Sequence, residues 1–197
     1  MVAPVLLLID FQKGFDEPRW DKRNNPGAEA RVAQLLAHWR AAGAPVTHVL
    51  HKSRNPDSPL APNHPGRAFK PEAAPVAGEA VVERSVNSAF MGTDLLSRLR
   101  AIDAHQLVIC GIGTAHCVSS TARTAANIGF EVQLVEDACV ANSYRTDMSW
   151  KPGNSAEAGD LGARKLDPQE IHAHAVAHLH GVFLTAVQSA SLLAQPL

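Results

Sequence analysis

The chain has 197 residues, and its 18 Lys plus Arg stand against 19 Asp plus Glu, a formal net charge of −1. Hydrophobic residues make up 46%, charged residues 19% and aromatic residues 5%, with one tyrosine. This suits a single globular domain over 1–197 that buries its own core, and it argues against nucleic-acid binding: there is no basic surplus to neutralise phosphates and few rings on which bases could stack.

The first element is predicted at Pro4 to Asp10, an apolar run ending in an acid. Such runs are typical of strands buried on both faces of a parallel sheet. Val5 to Ile9 is also the longest apolar run, far short of the roughly 20 residues a membrane span needs. No Lys or Arg precedes it and Asp10 ends it, which argues against a signal peptide. After Pro26-Gly27, residues Val32, Leu35, Leu36 and Trp39 fall on one helical face, and Gly43 stands where a helix would stop. Pro45 to His51 reads as a second strand. Residues 52–80 hold six prolines and little periodicity, so a long functional loop is expected there.

Ala80 to Glu83 is a short strand, Thr93 to Ile102 a helix, and Gln106 to Gly111 another buried strand. Ala115 to Gly129 reads as a small-residue helix and Phe130 to Val135 as a strand. Residues 139–166 form a second irregular stretch. Asp167-Pro168-Gln169-Glu170 has the pattern of a capping box with proline at the first helical position. Gly181 ends that helix, Val182 to Val187 is a last strand, and a short helix comes after it. Strands and helices alternate without repeat or break. This predicts a three-layer α/β/α sandwich with a mostly parallel sheet of about six strands.

Cys110, Cys117 and Cys139 are too few, and odd in number, for a disulfide framework, so a reduced, cytoplasmic protein is expected. In open parallel sheets, ligands bind beyond the carboxyl ends of the strands. Asp10, His51, Lys52, Arg84 and Cys117 all fall there. Cys117 follows a glycine-containing turn at the start of a helix, where free N–H groups and the helix dipole favour a thiolate and an oxyanion. The alternative is a cysteine packed under the sheet. Cys110 and Cys139 read as structural. Asp10 closes an apolar strand, so its carboxylate needs a partner or a raised pKa. His172, His174, His178 and His180 read as a solvated helix flank. No glycine-rich G-x-G-x-x-G element follows the first strand, which argues against a nucleotide-binding domain.

Asp10-Phe11-Gln12, Ser88-Ala89-Phe90, the run Gly111-Ile112-Gly113-Thr114-Ala115-His116-Cys117-Val118, and Asp137-Ala138 together resemble the isochorismatase-like cysteine hydrolases. The resemblance runs from about residue 4 to about residue 187. It implies an Asp, Lys and Cys catalytic set. Asp10 and Cys117 match two of these. At the lysine position this chain has Arg84, which stays protonated and cannot shuttle a proton. Lys52 ends the neighbouring strand and is a possible substitute cation. The resemblance also implies a cis peptide at Ile112–Gly113, aiming the backbone N–H groups of Gly113, Thr114 or Cys117 at an oxyanion. Phe11, Gln12, Lys52, Phe90 and His116 are expected to touch the substrate. The Asp-x-His metal pair of nicotinamidases in this family is missing after the second strand, so no metal and no cofactor is expected. Relatives that form dimers or tetramers imply a homodimer or homotetramer, with the tail Ala190 to Leu197 packing on a neighbour or on its own sheet.

The reaction this implies is hydrolysis of a C–N bond in a small molecule (an amide, ureide or N-carbamoyl compound) through a thioester on Cys117. Two alternatives stand beside it. One is isochorismatase-type vinyl-ether hydrolysis. The other is a small-molecule binder that lost turnover when arginine replaced lysine.

Overall fold

The structure is a computed structural model that describes residues 2–143 and 166–197. Six strands form one sheet: β1 (Val5–Ile9), β2 (Val46–His51), β3 (Ala80–Arg84), β4 (Gln106–Ile112), β5 (Glu131–Val140) and β6 (Thr185–Val187). Their order is β3-β2-β1-β4-β5-β6 and every pairing is parallel. β1 is central and all five of its residues are buried, which is why its sequence is apolar throughout instead of alternating. Among the described residues, no helix is long and apolar enough to cross a membrane.

Among the described residues the α-helices are α1 (Ala28–Ala41), α2 (Leu95–Ala101), α3 (Ser119–Asn127), α4 (Pro168–Ala177) and α5 (Ser189–Leu193). The chain moves from β1 to β3 in one direction along the sheet, then from β4 to β6 in the other. Right-handed crossovers therefore put α1 on one face and α3 and α4 on the opposite one, completing three layers. α1 buries Val32, Leu35, Leu36 and Trp39, as their spacing predicts. α5 packs on α1, and Leu192 and Leu193 lie against the core of their own chain. α4 begins with the expected capping box, Asp167 accepting from the Gln169 N–H and Glu170 reaching back to Asp167.

Several elements differ from their sequence expectation. β5 continues past Val135 to Val140, because beyond an irregularity in β4 the ladder resumes with Gly111 opposite Cys139 and Ile112 opposite Val140. Cys139 is thus a buried strand residue and not the start of a loop. β6 is only three residues long, since Gly181 adopts φ 76° and Val182 lies out at the turn. Within the 52–80 loop, prolines open two 3-10 turns, Pro65–Arg67 and Pro71–Ala73. Most of the second irregular stretch, 144–165, lies outside the described residues.

Candidate active site

The strand order reverses between β1 and β4, and the crevice beyond the carboxyl ends at such a switch point is where open α/β sheets bind ligands. Asp10 follows β1 and Cys117 follows β4, so the switch point brings them together. Gly111 lets the two strands approach. A Cβ there would lie 2.7 Å from both Ile9 Cβ and the Ile9 carbonyl oxygen.

Gly113 then turns the chain at φ 87°, ψ 59°, a left-handed conformation that glycine adopts without penalty. The next five residues are not regular helix. Thr114–Val118 is a π-turn in which the Gly113 carbonyl accepts from the N–H groups of His116 and Val118, and α3 begins only at Ser119. Such wide turns recur at functional sites because they re-aim one or two side chains. Here Cys117 lies within the turn, half-buried.

Two expectations about this turn are corrected. The Ile112–Gly113 peptide is trans, and the reversal is made by the Gly113 dihedrals instead. The Gly113 N–H donates to the Val140 carbonyl at 2.8 Å, so it is committed to the sheet and is not an oxyanion donor. Thr114 and Cys117 are the two expected backbone donors that remain.

Asp10 is fully buried at φ 62°, an uncommon conformation that Asp tolerates better than most residues. Its Oδ2 accepts from Arg84 Nη2, and neither side chain is exposed at all. Its Oδ1 is buried without a hydrogen-bond partner, and the carboxyl interacts with the Cys117 thiol. Burial pushes the Asp10 carboxyl above its ordinary value, and the Arg84 charge, Cys117 and the Arg84 hydrogen bond pull it only part of the way back. A guanidinium beside a carboxylate would by itself lower the pKa. Desolvation of a wholly buried carboxylate wins instead.

The Cys117 thiol is raised to about 12, by burial first and by the Asp10 charge second, with Arg84 opposing. The pre-ionised thiolate expected from its place at a helix start is therefore not the resting form. Cys110 and Cys139 are wholly buried and raised by burial as well.

Arg84 reaches the site from β3. Besides Asp10 it bonds the Val86 carbonyl and faces His51 Nδ1 at 3.0 Å. A guanidinium only donates, so His51 Nδ1 accepts and the imidazole proton sits on Nε2. Lys52 does not substitute for it: Lys52 Nζ lies 3.1 Å from Glu83 on the surface.

Above Cys117 opens a cavity of about 140 Å³. That is close to the roughly 150 Å³ that admits a benzene-sized ring. Asp10, His51, Asn87, His116 and Cys117 give it polar edges, and Asn87 Oδ1 lies 3.9 Å from the Cys117 sulfur. Phe15, Trp20, Leu60 and Ile171 supply apolar wall. Phe15 and Trp20 come from 3-10 turns after β1 (Lys13–Asp16 and Pro18–Trp20), whose sequence carries no periodicity to mark them. Their rings pack with centroids 4.8 Å apart.

Of the five residues expected to touch substrate, only His116 lines this cavity. Phe11 is in the core. Gln12 is buried, donating to the carbonyls of His51 and Arg67 and accepting from the His51 N–H, so it staples β1 to β2. Phe90 stacks on Phe130, centroids 6.1 Å apart, while Ser88 and the Ala89 N–H hook onto Thr124 and Thr121 of α3. The Ser-Ala-Phe run thus anchors the segment that carries Asn87. Among the described residues no group of three or more His, Cys, Asp or Glu side chains could hold a metal.

His172 corrects the expectation that the late histidines form a solvated flank. It is buried, with Nδ1 3.1 Å from Thr114 Oγ1 and Nε2 3.0 Å from Glu136 Oε2.

Comparison with known proteins identifies the family. The chain is 34% identical over 188 residues to YrdC of Bacillus subtilis, an isochorismatase family protein, covering 95% of this chain and 93% of that one. It is 30% identical over 158 residues to maleamate amidohydrolase of Pseudomonas putida, covering 72% and 73%. A solved structure from Chromobacterium violaceum, assigned to the isochorismatase family, superposes with a TM-score of 0.86 at 41% identity, covering 98% of this chain and 92% of that one. The family model for the isochorismatase domain matches residues 4–152, which hold Asp10, Arg84 and Cys117, and the chain belongs to the isochorismatase family.

Proposed function

We propose that the protein is a cysteine hydrolase that cleaves a C–N bond in a small molecule, an amide, ureide or N-carbamoyl compound. The observation that carries this reading is Asp10, wholly buried between the Arg84 guanidinium and the Cys117 thiol at the floor of a small cavity. A carboxylate whose pKa is pushed up by burial is a better base than one in water, and this one interacts with the thiol that must lose a proton.

In the first half-reaction Asp10 takes the thiol proton as Cys117 sulfur bonds to the substrate carbonyl carbon. The carbonyl electron pair moves onto oxygen, which is received by the N–H groups of Thr114 and Cys117. The pair returns, the C–N bond breaks, and the nitrogen leaves with the proton that Asp10 held. In the second half, Asp10 takes a proton from water as the water oxygen attacks the thioester. The acid is released and the proton returns to sulfur. Arg84 keeps its proton throughout and holds Asp10 in position and charge. Similarity to an amidohydrolase supports C–N over vinyl-ether cleavage.

The test is a panel of small amides, ureides and N-carbamoyl compounds, with mass spectrometry of the protein during turnover. An acyl adduct on Cys117, and loss of hydrolysis in Cys117→Ala with the fold intact, are expected. Full activity in Cys117→Ala would refute the covalent mechanism.

A further inference from the structure

Behind the nucleophile turn lies a hydrogen-bonded chain that the hydrolysis itself does not use. Thr114 Oγ1 meets His172 Nδ1, and His172 Nε2 meets Glu136 Oε2. Gln188, which precedes α5, donates to the other Glu136 oxygen. Thr114 and His172 are buried, Glu136 is half-buried and Gln188 is exposed, so the chain ties the π-turn and α4 to β5 and reaches the surface at the start of α5.

One proton in this chain follows from the groups themselves. A carboxylate only accepts, so His172 Nε2 carries the hydrogen that goes to Glu136. His172 Nδ1 and the Thr114 hydroxyl share the second hydrogen bond of the chain. The Thr114 side chain is thereby fixed from behind. Its backbone opens the π-turn, directly after the left-handed Gly113 and three residues before Cys117. A hydrogen bond at that point fixes the direction in which the first donors of the turn face the cavity.

We infer that His172, oriented by Glu136, is a positioning residue: through Thr114 it holds the backbone N–H groups of the nucleophile turn where a carbonyl oxygen becomes negative. The inference rests on the hydrolase reading and adds to it. Catalytic donors misplaced by about 1 Å lose on the order of 100-fold in rate. A simple core brace would instead loosen the whole site.

Two probes separate these cases. Acylation by p-nitrophenyl acetate passes through an oxyanion, whereas alkylation by iodoacetamide displaces iodide and forms none. His172→Gln and Thr114→Val should slow Cys117 acylation about 10- to 100-fold while leaving alkylation within about twofold. Thr114→Ser, which keeps the hydroxyl, should slow acylation less than Thr114→Val. The His172→Gln, Thr114→Val double variant should be no slower than the worse single one, since both cut the same link. Equal slowing of both probes, or of neither, overturns the inference and leaves the hydrolase reading standing. A wild-type protein that alkylates at Cys117 but never acylates would overturn both.

Discussion

Arg84 and Asp10 form an ion pair with no exposed surface on either side chain, and both interact with the Cys117 thiol. It joins the ends of β3 and β1 across β2. A pair like this is costly to bury, and costlier still to break, because the surviving charge has nowhere to go. Arg84→Met should therefore destabilise the protein by about 3–5 kcal/mol and abolish hydrolysis. Arg84→Lys keeps the charge but gives up the fork that also reaches His51 and Val86, so it should cost about 1–2 kcal/mol and retain activity within about tenfold. Urea unfolding and initial rates on the same preparations check both. Equal loss in the two variants would mean that the fork, and not the charge, is what Asp10 needs.

A second expectation concerns the thiol. With Cys117 raised to about 12, the thiolate is a small fraction at neutral pH and grows tenfold with each pH unit. Iodoacetamide labelling of Cys117 should accordingly rise steadily from pH 7 to pH 10 without a plateau. A plateau near pH 7 would reveal a pre-ionised nucleophile and remove the need for Asp10 as base.

Gly111 offers a test of the crevice itself. The added Cβ of Gly111→Ala would meet the backbone of β1 and Val118 Cγ2 at 2.9 Å, and backbone cannot swing aside. We expect a loss of about 1–3 kcal/mol, with activity falling further because Asp10 and Cys117 are pushed apart. Unchanged thermal stability would show that β1 and β4 can separate at little cost.

The last expectation is a pH effect away from the site. Glu29 in α1 accepts two hydrogen bonds from Arg23 at 2.7 Å and one from Lys70 at 2.8 Å. Burial alone would raise its pKa, yet these partners hold it down at about 2 against an ordinary 4.5. A depressed folded-state pKa stabilises above the unfolded value and is lost as pH falls. Glu29 should thus contribute about 3 kcal/mol at neutral pH, lost between roughly pH 4.5 and pH 2. Glu29→Gln should lower stability at pH 7 and flatten that acid-side fall. A parallel decline in both proteins would assign the acid sensitivity elsewhere.

Much of the frame is legible in the sequence alone. The apolar run of β1, the 3.6-residue spacing in α1 and the capping box of α4 are local signals, and each element forms where its signal lies. Asp10, Arg84 and Cys117 can be placed at strand ends because strand ends are local features too. The cavity walls are not legible: Phe15 and Trp20 sit on short 3-10 turns with no period to read, and Phe11 and Gln12, two residues that look placed to meet a ligand, turn inward.

The sequence by itself determined the alternation of strands and helices, the buried character of β1 and β4, and the placing of an acid and a thiol at two strand ends. Only the tertiary structure decided that β1 and β4 are neighbours, which makes those two ends one site. It also decided the chemistry of the pair. Whether a carboxylate is raised or lowered depends on the balance between desolvation and a cation, and that balance is set by packing over the whole chain. The same holds for His172. Four histidines in one short stretch look alike in sequence, and only the position of α4 against the nucleophile turn puts one of them between Thr114 and Glu136. Periodicity reports which face of an element is buried. Which distant side chain waits on that face is fixed by long-range contacts that no local pattern carries.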